Sequence, residues 1–87
     1  MAKKNNRPRQ SSTYNLQILV EIDEDGKYVA SCPALQGCYS QGGTFEEALA
    51  NIRDVAEMCL EELREEEKEI DVRYPEIVGL KQIEVTV

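Results

Sequence analysis

Histidine is absent from these 87 residues, and cysteine occurs only three times. The first absence removes the commonest general base and a principal zinc ligand. Cys32 and Cys38 are separated by five residues and Cys59 falls within a helical apolar pattern, so none of the usual zinc spacings is present. Cys38, beside glycines in a loop or short strand, is the one candidate for a reactive thiol, but no imidazole exists to activate it. No apolar run approaches the roughly 20 residues of a membrane-spanning helix. The opening Met1-Ala2-Lys3-Lys4 is not followed by an apolar stretch, so the pattern of a secretory signal is missing. An odd cysteine count without such a signal argues against a disulfide framework. The expectation is a cytoplasmic protein with three reduced, mostly buried thiols, no metal and no cofactor.

What is abundant is acid, and it is unevenly placed. Residues 1–13 hold Lys3, Lys4, Arg7 and Arg9 and no carboxylate, a charge of +4, which leaves −11 on the rest of a chain whose net charge is −7. The same 13 residues have no large apolar side chain after Met1, so burial cannot offset the entropy of ordering them. They are expected to form a disordered basic tail, with residues 14–87 as one domain. An acidic body repels nucleic acid, and any grip of the tail on phosphates would depend strongly on salt.

From Tyr14 the apolar period is two: Tyr14, Leu16, Ile18, Val20 and Ile22 fall on one side of an extended segment. The stretch DEDG, residues 23–26, supplies a tight reversal, and KYVASC resumes with Tyr28, Ala30 and Cys32 on one side, which is a hairpin pattern. Pro33 cannot donate to a ladder and ends the second strand. A third short strand is expected over 38–41. Gly42-Gly43 then breaks it, and Thr44-Phe45-Glu46-Glu47 fits a capping box that opens a helix. Phe45, Ala48, Leu49, Ile52, Val55, Ala56, Cys59, Leu60 and Leu63 step by threes and fours into one apolar stripe. At about 1.5–3 kcal/mol per large buried side chain, that stripe dominates the stability of so small a domain. The helix is expected to decay in REEEKEI, where like charges crowd successive turns, and to have ended by Tyr74-Pro75. After Gly79, Ile83, Val85 and Val87 alternate with Gln82, Glu84 and Thr86, a final strand. The expected fold is α+β, in the order β-β-β-α-β, an antiparallel-rich sheet with one long helix packed on one face.

Asp23, Glu24 and Asp25 at one turn and Glu46 and Glu47 at a helix start could be imagined as a divalent-metal nuclease site. Turn preference and the helix dipole already account for all five, so an enzyme is not expected. The segment YNLQILVEIDEDGKYVASCPALQGCYSQGGTFEEALANIRDVAEMCLEE resembles the N-terminal domain of the HicB family of antitoxins. The likeness is carried by the first strand, the EDG turn, the Y-V-A strand, CPALQGC and GGTFEEALANI, with a last strand over 82–87 in the expected place.

The resemblance implies a partial ribonuclease-H-like fold without nuclease activity that assembles into homo-oligomers, dimers or tetramers. It also implies a partner, a small basic RNA-cleaving toxin whose active site the antitoxin masks. Glu46, Glu47, Asp54, Glu57, Glu61 and Glu62 lie away from the apolar stripe, with Arg53, and are the expected partner-binding residues. Many family members carry a C-terminal ribbon-helix-helix or helix-turn-helix module, whereas this sequence stops at Val87, at the end of a strand pattern. Direct DNA binding is therefore in doubt. The alternative is a stand-alone oligomeric domain that binds another protein or a small ligand. Leu19 and Val29 on the second sheet face, and Met58 on the outer side of the helix, motivate oligomerisation under either reading.

Overall fold

A computed structural model describes residues 12–87. The expected basic tail falls almost wholly outside them. Three short strands, β1 (Leu19–Ile22), β2 (Tyr28–Ser31) and β3 (Tyr39–Gly42), form an antiparallel sheet in the order β1-β2-β3. They are followed by one long helix, α1 (Phe45–Glu65). The fold is α+β.

The β1–β2 reversal is built by Asp23. Its Oδ1 accepts from the backbone N–H groups of Asp25 and Lys27, both at 2.9 Å, and Gly26 takes the positive φ of 83° that closes the turn. The register pairs Leu19 with Ser31 and Ile22 with Tyr28. β1 thus begins five residues later than the alternation from Tyr14 suggests. The partner strand sets the limit: continued backwards, the register would bring Gln17 opposite Pro33, which has no N–H, while the Cys32 N–H is already given to the Cys38 carbonyl at 2.9 Å. Residues 14–18 keep the alternation without a ladder, and Leu16, Ile18 and Val20 pack on the core.

The loop between β2 and β3 is a compact knot of backbone bonds, with Leu35 N–H to Cys32 O at 3.0 Å and Cys38 N–H to Leu35 O at 3.2 Å. It seals Cys32, Leu35 and Cys38 into the core beside Ala30, Ala48, Ile52 and Ala56. Thr44 caps the helix as its sequence indicates: Thr44 Oγ1 accepts from Glu47 N–H at 3.0 Å. The return bond of the capping box goes one residue further back, from Gly43 N–H to the Glu47 carboxylate. The stripe of α1 lies over β2 and β3 with Ile52 only 1% exposed at its centre, although Phe45, expected in the stripe, is 46% exposed at its end. The helix stops at Glu65 in a Schellman pattern, with Glu67 N–H to Arg64 O at 2.9 Å and Lys68 N–H to Leu63 O at 3.0 Å.

The expected final strand is not formed. Residues 80–87 are exposed and belong to no ladder. A strand exists only where a neighbour takes its N–H and C=O groups. Past Ile77 this segment reaches none among the described residues.

Candidate partner-binding face

Helical geometry advances about 100° per residue, so Glu46, Asp54, Glu57 and Glu61 gather on one side of α1, with Glu47 and Glu62 flanking them. Core contacts from Ala48, Ile52 and Ala56 hold that side toward solvent, and all six acids are exposed. Over the whole helix seven carboxylates face two arginines, a net charge of −5. The six are not equivalent. Glu47 is engaged at the cap with Gly43, whereas Glu46, beside it in the first turn, and Asp54, Glu57, Glu61 and Glu62 farther along are exposed on the helix surface. Met58, 66% exposed, is an apolar side chain within this acidic face. Such a surface can attract a cationic partner over distance and bury a small apolar centre on contact.

Two features of the surroundings escaped the sequence reading. An open groove of about 750 Å³ separates residues 12–18 from α1, floored by Leu16, Ile18, Leu49, Ile52, Ala56 and Leu60, with Arg53 and Glu57 on the same lining. A second, of about 540 Å³, lies between residues 13–17 and 72–76. Both arise because residues 12–18 run beyond β2. Periodicity along the chain does not reveal a crossing between segments so far apart.

The thiols are poorly suited to nucleophilic work. Cys32 and Cys38 are buried and Cys59 is half-buried. Burial pushes the Cys38 thiol up to about 12, helped by the neighbouring Cys59 and Cys32. The cysteine that sequence alone left as the reactive candidate is thus held as the neutral thiol. Among the described residues no cluster of three His, Cys, Asp or Glu side chains is arranged to hold a metal ion. Asp23, Glu24 and Asp25 remain at the hairpin turn, Asp23 occupied by the backbone it orders. Among the described residues no helix is long and apolar enough to cross a membrane.

A small antiparallel sheet, one capped helix and an outward acidic face make up a small α+β domain. The model of the HicB-like antitoxin of bacterial toxin–antitoxin systems matches residues 16–84, and the chain belongs to that family. It is similar to the UPF0150 protein ssr1258 of Synechocystis sp., 43% identical over 78% of this chain and 90% of that protein. It is also similar to the UPF0150 protein ssr1765 of the same organism, 52% identical over 58% of this chain and 63% of the relative. The UPF0150 protein Ta0767 of Thermoplasma acidophilum is 42% identical over 61% of this chain and 77% of its own length.

Proposed function

We propose that this protein is a non-catalytic antitoxin-like binding protein of the cytoplasm, which associates with itself and masks a small basic RNA-cleaving toxin. Membership in the HicB-like antitoxin family supports the toxin-directed role. The observation that carries the assignment to a surface is the net charge of −5 on one exposed helix, set on a core that fixes its orientation. Opposite charge accelerates encounter with a cationic protein, and Met58 provides an apolar point at which contact becomes close. Glu46, Asp54, Glu57, Glu61 and Glu62 act in recognition, while Glu47 serves mainly the helix cap. Residues 14–87 act as the binding domain and residues 1–13 as a solubilising leader.

The test is co-purification from the native cell at low and then moderate salt. A small basic protein whose ribonuclease activity is inhibited by the purified chain is the expected capture. Glu57→Lys/Glu61→Lys should slow its association at least about tenfold at low salt, with less effect at high salt. An unchanged association rate would remove the acidic face from the interface. Recovery of an unrelated protein alone would instead favour a stand-alone domain with another partner.

A further inference from the structure

Residues 78–87, VGLKQIEVTV, leave the body as an exposed arm: Leu80 is 97%, Ile83 77% and Val85 70% exposed. Over 82–87, Ile83, Val85 and Val87 alternate with Gln82, Glu84 and Thr86, as in a strand with one apolar and one polar face. The same molecule has an unfilled counterpart. β1 is an edge strand whose second side has no ladder partner among the described residues. The segment that leads into that edge, residues 12–18, borders the groove floored by Leu16, Ile18, Ile52, Ala56 and Leu60. The lengths agree: residues 80–87 span about 26 Å at 3.3 Å per residue, and residues 14–22 about 30 Å. Charge does not oppose the match, because Lys81 and Glu84 cancel within the arm.

The arm is held off its own edge. Gln17 Nε2 donates to Ile77 O at 3.3 Å, and Ile77 N–H donates to Gln17 Oε1 at 2.7 Å. The end of a side chain, not a main chain, therefore meets residue 77. Residues 78–87, which follow it, form no ladder with β1 or the segment before it.

We infer that residues 80–87 of one copy add as a fourth strand to the free β1 edge of a second copy, laying Ile83, Val85 and Val87 over its groove, and that the exchange is reciprocal. This deepens the self-association proposed above, names its interface, and does not depend on any toxin. Each copy donates an arm and accepts one, so a closed two-fold dimer satisfies both surfaces at once. The unpaired edge, a template for uncontrolled pairing, is capped in the same step.

Sedimentation from about 1 to 100 μM, joined to amide hydrogen exchange, tests the exchange on the full chain. The wild type should be a dimer with the amides of 82–87 protected. Ile83→Asp/Val85→Asp should weaken dimerisation more than about a hundredfold, the equivalent of two lost apolar side chains, with circular dichroism unchanged. Leu16→Asp, which damages the groove and leaves the arm intact, should also be monomeric. Equal mixing of the two variants should restore a heterodimer with one arm seated, which a mere folding defect in either would not allow. A wild-type monomer at every concentration would overturn both self-association and the exchange. A dimer that survives Ile83→Asp/Val85→Asp would overturn the exchange alone. Protection of 82–87 in a monomeric sample would show the arm folded onto its own chain and would equally overturn it.

Discussion

Gln17 and Ile77, 60 residues apart, face each other through two hydrogen bonds, with the side-chain amide of one matching the backbone donor and acceptor of the other. This pair ties the chain after the helix to the segment that leads into β1. Gln17→Ala should lower stability by about 0.5–1.5 kcal/mol, the typical net worth of such bonds at an exposed site. It should also speed hydrogen exchange at Ile77 more than in the β1–β2 hairpin, which is held by its own ladder and by Asp23. Uniform loss of protection across the domain would show instead that the tie is integral to the whole core.

A glycine lets the end of β3 lie close against the first turn of the helix. A Cβ built on Gly42 would lie 2.7 Å from the backbone nitrogen of Ala48 and 3.0 Å from the carbonyl carbon of Glu47. These are main-chain atoms of the first helical turn and cannot swing aside. Gly42→Ala should therefore cost about 1–3 kcal/mol as β3 and α1 separate. That is a Tm fall of at least about 4 °C in a domain of this size. At Gly43 the nearest atom is Glu47 Oε1, at 3.3 Å, on a flexible side chain, so Gly43→Ala should cost less. Equal melting temperatures for the two variants would contradict the close approach.

The hairpin, the third strand and the long helix were legible because each is written locally: Asp and Gly at the turn, alternation along the strands, Thr44 and Glu47 at the cap, and a stripe ending in crowded acids. The start of β1 was not, because a strand is only as long as its neighbour, and Pro33 stops β2. The last strand failed for a related reason. Ile83, Val85 and Val87 have the right alternation, yet alternation cannot say which edge will receive them. The acidic positions followed from the helical period once the stripe was placed. The distinct role of Glu47 was already present in its cap spacing. The groove could not be anticipated, since it depends on how residues 12–18 cross α1.

Burial of Cys38 gives the fold a dependence on alkaline pH. The thiol titrates at 9.0 ordinarily and at about 12 in the native state. Between those values the unfolded chain releases a proton that the native chain retains, so rising pH favours unfolding. The contribution is fully present below about pH 9 and is lost progressively toward pH 12. Wild type should therefore lose denaturant resistance between pH 8 and 11 more steeply than Cys38→Ala, in which the group is gone. At pH 8 the half-buried Cys59 should react with a thiol reagent ahead of Cys38. Parallel pH profiles, or Cys38 labelled first, would contradict the buried neutral thiol.

Glu67 stands where a helix end most favours glycine. Its φ is 57°, and it is the residue at which the Schellman bonds turn the chain, with its own N–H to Arg64 O and that of Lys68 to Leu63 O. In this left-handed region the Cβ crowds the following carbonyl, at about 1–2 kcal/mol for an L-residue, and glycine escapes the clash. Part of that gain is offset by glycine's freer unfolded chain. Removing one carboxylate from the Glu65-Glu66-Glu67 run also relieves repulsion at the negative end of the helix dipole. The terms leave Glu67→Gly stabilised by about 0.5–1 kcal/mol. Glu67→Ala keeps the Cβ and should gain only the smaller charge part. Thermal melts of the two variants at low and high salt separate the contributions. If the left-handed strain is real, the advantage of glycine over alanine will persist in salt, whereas a purely electrostatic effect will make the two equal.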